Sequence, residues 1–221
     1  MGHSAVRATR PIVAYGPAGP RDRGTAVGWR RVGKTVYYSA MSLDGYIAEA
    51  DDTIEWLLSY DGSFAGEGAE PGRGSYERFY ERVGALVMGS TTYGWIIDEL
   101  EESRGWPYPG KPAWVLSTRD LGTPQAKDAD VRIVDADVRD LHGEMLAAAG
   151  DRDLWVVGGG NVASQFADAG LLDEVTVTVV PVVLGGGKPL FERRLPGGPM
   201  QLRSARPLDT GMVELRYEIP R

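Results

Sequence analysis

The chain has 221 residues, of which 43% are hydrophobic and 25% are charged, a composition typical of a globular protein with a sizeable core. It contains no cysteine and only two histidines, which excludes disulfides and zinc–thiolate sites and argues against any metal site. The formal net charge of -7 argues against a nucleic-acid partner, and no apolar run approaches the roughly 20 residues of a membrane-spanning helix.

The first 33 residues differ in composition from the rest of the chain. They carry six arginines against one acidic residue, so their charge is +5 and residues 34–221 carry -7 minus 5, or -12. They are rich in glycine and proline without apolar periodicity, which favours a poorly ordered extension before a single domain at 34–221. A transit peptide, an over-extended start codon and an interaction arm for an acidic partner are the alternatives. No secretory apolar stretch follows, so we expect a cytoplasmic protein.

From Lys34 onward, strand-like runs alternate with helix-like runs, which is the pattern of an α/β domain whose sheet is covered by helices. The predicted strands are 35–40, 85–88, 112–116, 131–134, 153–157, 174–180, 201–206 and 213–219. The predicted helices are 74–83, 92–102, 138–149 and 162–169. The last three strands lack intervening helices, so we expect a mixed, mostly parallel sheet with antiparallel C-terminal strands.

Three predicted strands end in glycine or hydroxyl residues, at the edge where an open α/β sheet places its ligands. The residues that follow them are Gly89-Ser90-Thr91, Ser117-Thr118-Arg119 and Gly158-Gly159-Gly160-Asn161. Glycines let a ligand approach the backbone, helix N-termini attract phosphate, and a guanidinium adds charge-assisted hydrogen bonds. Each turn alone is a weak signal, but the three together favour a dinucleotide site.

Two common nucleotide motifs are excluded by their context. Residues 158–163 fit G-x-G-x-x-A, but the next strand ends in Val179-Val180-Pro181 and lacks the ribose-binding acid of a Rossmann domain. Residues 185–188 end in Lys188, but Pro189 follows where a Walker loop has Ser or Thr and a helix. Lys188 is therefore interpreted as a solvated turn residue.

Four segments carry a family resemblance: 39–48 (SAMSLDGYIA), 88–92 (MGSTT), 116–119 (LSTR) and 156–191, which runs from VVGGGN through GLLDE to PLF. They resemble the dihydrofolate reductase-like superfamily, and within it the reductase domain of the bifunctional riboflavin-biosynthesis deaminase-reductase and its stand-alone relatives. The resemblance implies a three-layer α/β fold, NADPH as hydride donor, and a homodimer. The zinc deaminase half of the bifunctional proteins is absent, because its signature requires cysteines.

The resemblance also implies the cofactor contacts. They are Ala40, Gly89, Ser90, Thr91, Ser117, Thr118, Arg119, Val157, Gly158, Gly159, Gly160 and Asn161. Residues 158–161 are expected to hold the pyrophosphate near the nicotinamide, with residues 89–91 on the other side of the phosphates. Residues 117–119 are expected to contact the 2′-phosphate, for which a guanidinium favours NADPH over NADH.

Catalytic and substrate-binding residues are expected near the first strand. Asp44, in the loop that resembles the one closing over nicotinamide and substrate, and Glu55, which could pair with an aminopyrimidine edge, are the catalytic candidates. The substrate-binding candidates are Leu43, Trp56 and Tyr93. A turn cap is the alternative for Asp44, a solvated helix position for Glu55, and a place in the core for the two aromatic residues.

The sequence therefore predicts an NADPH-dependent oxidoreductase that transfers a hydride to a pteridine- or aminopyrimidine-type substrate, similar to 5-amino-6-(5-phosphoribosylamino)uracil reductase or dihydrofolate reductase. The alternative is a non-catalytic nucleotide or small-molecule binding protein that retains the fold. Acids at positions 49, 51, 52 and 55 replace the segment that helps the riboflavin reductases hold a ribose phosphate. They would repel a phosphate monoester unless Arg73 or Arg78 compensates. The glycine-rich segment 60–74 is predicted to act as a lid.

Overall fold

The computed structural model describes residues 33–58, 75–102, 105–124, 126–208 and 211–220, without the side chains of residues 99–102. The predicted N-terminal extension, apart from Gly33, and the predicted lid at 60–74 lie outside these residues. Within the described ranges, no helix has the length and apolar character needed to cross a membrane.

The secondary structure follows the predicted order. The strands are β1 (Thr35–Ser42), β2 (Tyr46–Ala48), β3 (Val83–Gly89), β4 (Ala113–Leu116), β5 (Val131–Val134), β6 (Asp153–Gly158), β7 (Glu174–Val180), β8 (Lys188–Pro189), β9 (Gln201–Pro207) and β10 (Val213–Glu218). The helices are α1 (Glu55–Leu58), α2 (Ser75–Tyr80), α3 (Ser90–Glu102), α4 (Val138–Ala149) and α5 (Gly160–Asp168). Strands β2 and β8 were not predicted, because two or three residues carry no periodicity.

Eight of the strands form one sheet in the order β5-β4-β3-β6-β1-β7-β10-β9. The pairs from β5 to β7 are parallel, whereas β10 runs antiparallel to β7 and β9 runs antiparallel to β10. This arrangement confirms the predicted mixed sheet with antiparallel C-terminal strands. Strands β2 and β8 pair with each other in a separate two-stranded sheet.

Helices cover both faces of the large sheet, because its central strands are apolar on both sides. In β1, Tyr37 packs into a core with residues of α4 and α5, while Val36 and Tyr38 pack into a second core with residues of α2 and α3. In β3, Val87 and Leu86 divide between the same two cores. The result is the predicted three-layer architecture, and it aligns the carboxyl ends of the parallel strands along one edge.

A buried ion pair lies at the opposite edge, where β7 and β10 pair. The Glu174 carboxylate is 1% exposed and accepts hydrogen bonds from Arg216 Nε at 2.6 Å and Arg216 Nη2 at 2.7 Å. Lys34 Nζ lies 3.3 Å from the same carboxylate. Burial raises the pKa of Glu174, but the hydrogen bonds and charge of Arg216, with those of Lys34, outweigh it, so the pKa lies below its ordinary value of 4.5.

Because the folded pKa of Glu174 is lowered, its contribution to stability is complete above pH 4.5 and is lost as the pH falls through the folded value. We expect the free energy of unfolding to decline with acid in this range, and Glu174→Gln to flatten the decline. Urea unfolding at a series of pH values measures this slope. The control is Glu218→Gln, which removes a partly exposed carboxylate of β10. Equal slopes in the wild type and Glu174→Gln would contradict the assignment.

Candidate functional site

A cavity of about 490 Å³ opens at the carboxyl ends of the parallel strands. Its wall includes Ala40 of β1, Gly89 of β3, Leu116 of β4 and Gly158 of β6. Strands β1, β6, β3 and β4 are neighbours in the sheet, so turns far apart in sequence share one wall. Both the position, at the carboxyl edge of an open α/β sheet, and the volume are typical of sites for cofactors and small ligands.

Two helices begin at this cavity. Helix α3 starts at Ser90 directly after β3, and α5 starts at Gly160 after the single residue Gly159 that follows β6. The first turns of both helices line the cavity, and the N-cap Gly159 supplies no side-chain cap to α5. The first amide groups of a helix lack intrahelical partners and carry a partial positive charge. The starts of both helices are therefore suited to anionic groups such as phosphates.

Glycines allow the backbone around α5 to pack closely. A Cβ at Gly160 would lie 2.5 Å from Pro189 O and 2.9 Å from Leu190 O, both backbone atoms. A Cβ at Gly158 would lie 3.1 Å from Thr92 Oγ1, at the start of α3. The Gly158–Gly159 peptide bond is cis. Side chains at these positions would press against neighbouring protein atoms, so the starts of α3 and α5 pack this closely because glycines stand there.

Asp44 ties together two loops beside the cavity. The Ser42 hydroxyl donates to Asp44 Oδ1 at 2.6 Å, and the amides of Leu184 and Gly185 donate to Oδ1 and Oδ2 at 3.1 and 2.7 Å. The Ser42 hydroxyl, followed by these amides, lowers the pKa of Asp44 below its ordinary value. Asp44 is thus an ionised acceptor that connects the β1–β2 turn to the segment after β7. It caps the turn, as in the alternative interpretation of this residue, and it also holds the second segment in place.

Among the described residues that line the cavity, the charged side chains are Asp52, Lys188 and Glu192. Lys188 Nζ lies 3.3 Å from Asp52 Oδ1. Asn161 Nδ2 donates to Glu192 Oε2 at 2.5 Å, and Gln165 Nε2 donates to Asn161 Oδ1 at 2.7 Å. The Asn161 side chain, at the start of α5, therefore links Glu192 to Gln165.

Comparison with known proteins identifies the family. A sequence profile of the RibD C-terminal domain matches residues 34–213. The chain belongs to this family. The uncharacterized protein YwjB of Bacillus subtilis (strain 168) is 30% identical over 185 residues, which are 83% of this chain and 97% of YwjB. The family confirms the resemblance found in the sequence.

Solved structures show the same fold as this RibD C-terminal domain. A protein of Shewanella sp. PV-4 assigned to riboflavin biosynthesis has a TM-score of 0.68 and 29% identity, over 85% of this chain and 99% of that one. The diaminohydroxyphosphoribosylaminopyrimidine deaminase/5-amino-6-(5-phosphoribosylamino)uracil reductase of Thermotoga maritima has a TM-score of 0.59 and 15% identity, over 86% of this chain and 58% of that one. Family and fold together support a reductase-type function.

The structure brings most of the predicted cofactor residues of this RibD C-terminal domain into the cavity wall. They are Ala40, Gly89, Ser90, Thr91, Val157, Gly158, Gly159, Gly160 and Asn161. Ser117, Thr118 and Arg119 lie just beyond Leu116, the last residue of β4 and part of the wall. The Ser117 hydroxyl accepts from Arg119 N at 2.9 Å, which shapes this turn, and the Arg119 side chain is exposed. The contacts of all these residues with a cofactor stay predictions.

None of the predicted catalytic and substrate-binding residues is among the residues that line the cavity. Asp44, Leu43 and Glu55 are exposed, and Trp56 packs against an apolar cluster that contains Val180. Tyr93 is 1% exposed, and its hydroxyl donates to Gly122 O at 2.8 Å. The wall is instead formed by close neighbours in sequence, namely Ile54, Leu57 and Trp95. The catalytic and substrate-binding roles of Asp44, Glu55, Leu43, Trp56 and Tyr93 stay predictions.

Several contributors to the wall were not predicted as site residues, although position 52 was noted among the acids that would repel a phosphate monoester. Asp52 reaches the wall from a turn and Lys188 from β8, a strand too short to predict. Tyr108, also in the wall, lies in an irregular segment before β4 that carries no periodic signal. For Lys188 the available signal was the family resemblance, whose last segment, 156–191, includes it but assigns it no role.

Proposed function

We propose that this protein is an NADPH-dependent reductase that transfers a hydride to a pteridine- or aminopyrimidine-type heterocycle. The observation that carries the proposal is the meeting of two helix N-termini, at Ser90 and Gly160, on one cavity whose wall is free of side chains at Gly158 and Gly159. The family and the riboflavin-biosynthesis relatives support the reaction class.

The residues present fit a dinucleotide. The amides at the starts of α3 and α5 would bind the pyrophosphate, and the exposed Arg119 would bind a 2′-phosphate by charge-assisted hydrogen bonds. When bound, NADPH supplies the hydride. The rings of Trp95 and Tyr108 border the cavity and would provide apolar surface for a flat heterocycle, which also excludes water from the site.

NADPH is expected to stabilise the protein more than NADH does, and Arg119→Ala is expected to remove the difference. A ligand at about 100 times its dissociation constant adds about 2.7 kcal/mol to the free energy of unfolding, which raises the melting temperature by roughly 5–11 °C for a chain of this size. Thermal unfolding of both proteins with each nucleotide measures the effect.

The matched control is Arg139→Ala, which removes an exposed arginine of α4 that pairs with Asp137. This variant should retain the wild-type preference for NADPH. Equal stabilisation of the wild type by NADPH and NADH would contradict the proposal that Arg119 binds the 2′-phosphate. An unshifted melting temperature with either nucleotide would overturn the cofactor assignment as a whole.

Turnover separates a reductase from a non-catalytic binding protein. We expect the absorbance of reduced nicotinamide to fall when NADPH-saturated protein is mixed with members of a panel of dihydropterins, pterins and aminopyrimidines. A protein that NADPH stabilises but that oxidises it with none of these compounds would be a nucleotide-binding relative of the reductases.

A further inference from the structure

We propose that the substrate of this site carries no phosphate monoester, and that Asp52 determines this specificity by occupying Lys188. The inference rests on the proposed function, because it concerns the part of the same cavity that the cofactor phosphates do not use. It specifies the substrate class, which is an uncharged or cationic heterocycle, and it names Asp52 as the residue that selects this class.

The charges of the cavity wall disfavour a second anionic group. The described lining contains one cation, Lys188, and two carboxylates, Asp52 and Glu192, so its charge is +1 minus 2, or -1. A phosphate monoester carries about -1.5 to -2 at neutral pH. The helix N-termini offset the phosphates of a dinucleotide, but a further phosphate elsewhere on this wall would meet a net negative surface.

The contact between Asp52 and Lys188 is fixed by the local fold. In the β2–β8 sheet Ala48 is paired with Lys188, and Gly187 packs so closely that a Cβ there would lie 2.2 Å from Ala48 O. Asp52 lies in the turn that follows β2. Its φ of 72° is in the left-handed region, which aspartate tolerates better than most residues.

Backbone hydrogen bonds hold this turn in place. Asp52 N donates to Glu49 O at 3.2 Å, and Glu49 N donates to Thr53 O at 2.9 Å. The turn therefore presents the Asp52 carboxylate to Lys188 before any substrate arrives. A ligand phosphate would have to displace this carboxylate, whereas ring N–H and amino groups could donate to it.

The apolar remainder of this wall suits the same substrate class. Ile47, Ile54 and Leu57 border the cavity beside Asp52. Such a surface favours a planar ring with little charge, because burial of apolar area is favourable while burial of an unpaired charge is costly. The combination matches a free heterocycle and not a ribose phosphate.

The test uses ribose 5-phosphate and ribose as a pair of probes that differ by one phosphate. Binding is measured by thermal shift and calorimetry on the free and the NADPH-loaded full-length protein. In the NADPH-loaded protein, where the cofactor phosphates would occupy the two helix N-termini, the wild type should respond no more to ribose 5-phosphate than to ribose. In Asp52→Asn, the freed Lys188 should strengthen ribose 5-phosphate binding about fivefold to tenfold over the wild type, since the group is partly exposed and screened.

Two further variants decide whether the gain has the proposed origin. Asp140→Asn removes one negative charge from an exposed position of α4 and should leave ribose 5-phosphate binding unchanged. Adding Lys188→Ala to Asp52→Asn should abolish the gain. Selective binding of ribose 5-phosphate by the NADPH-loaded wild type, or no gain in Asp52→Asn, would overturn the inference. Failure of the proposed function can be distinguished from failure of this inference. It would remove the stabilisation by NADPH, whereas the gain in ribose 5-phosphate binding from wild type to Asp52→Asn can still be measured on the free protein.

Discussion

Gly160→Ala is expected to destabilise the protein by about 1–3 kcal/mol and to abolish its stabilisation by NADPH. The added methyl group would lie 2.5 Å from Pro189 O and 2.9 Å from Leu190 O, and neither backbone atom can move as a flexible side chain would. The start of α5 must therefore shift away from β8, and the amides proposed to bind the pyrophosphate move with it. Urea unfolding with and without NADPH measures both effects.

The matched control is Gly143→Ala in α4, where a Cβ would meet nothing within 4 Å. In an exposed helix position alanine is favoured over glycine, so this variant should gain about 0.5–1 kcal/mol and keep its response to NADPH. The same chemical change thus has opposite signs at the two sites. A Gly160→Ala protein as stable as the wild type and equally stabilised by NADPH would contradict the packing described for α5.

Arg216→Ala is expected to lower the free energy of unfolding by about 2–3 kcal/mol at neutral pH. The substitution leaves the Glu174 carboxylate, which is 1% exposed, without its two shortest charged hydrogen bonds. The expected loss is below the roughly 3–5 kcal/mol of a fully buried pair, because Arg216 is itself partly exposed and Lys34 remains near. Chemical unfolding of both proteins in the same buffer gives the difference.

Arg203→Ala is the matched control for this pair, since it removes an arginine from the adjacent strand β9. Arg203 Nε donates to Glu218 Oε2 at 2.6 Å, but both side chains are partly exposed. A surface pair of this kind contributes about 0–1 kcal/mol, so this variant should stay close to the wild type. Equal losses in the two variants would show that burial of Glu174 does not govern the cost.

The sheet could be predicted because its information is local. The strands at 131–134 and 174–180 and the helix at 138–149 were predicted with the bounds that the structure gives, and the other long elements begin and end within a few residues of their predicted positions. Continuous apolar runs identify strands buried on both faces, and a helix of twelve residues shows its apolar spacing clearly. The part of the cavity wall formed by the turns after β3 and β6 could be predicted as well, because each of these turns ends a predictable strand.

The part of the wall around Asp52 and Lys188 could be predicted only in part, because its geometry depends on contacts distant in sequence. Asp52 and Lys188 are separated by more than half of the chain, and they meet only because β2 pairs with β8. Around α1 the composition indicated a candidate region but not which side chains enter the cavity. A helix of four residues shows no apolar spacing that would indicate its inward side. Leu57 of α1 and Ile54 just before it reach the wall, while Glu55 remains exposed.

The central claim is that the cavity at the starts of α3 and α5 binds NADPH, and calorimetric titration of NADPH into the wild-type protein tests it most directly. The account predicts one binding site per chain, weaker binding of NADH, and no measurable binding to Gly160→Ala at the same concentrations. Absence of NADPH binding to the folded wild-type protein, or unchanged NADPH binding by folded Gly160→Ala, would contradict it.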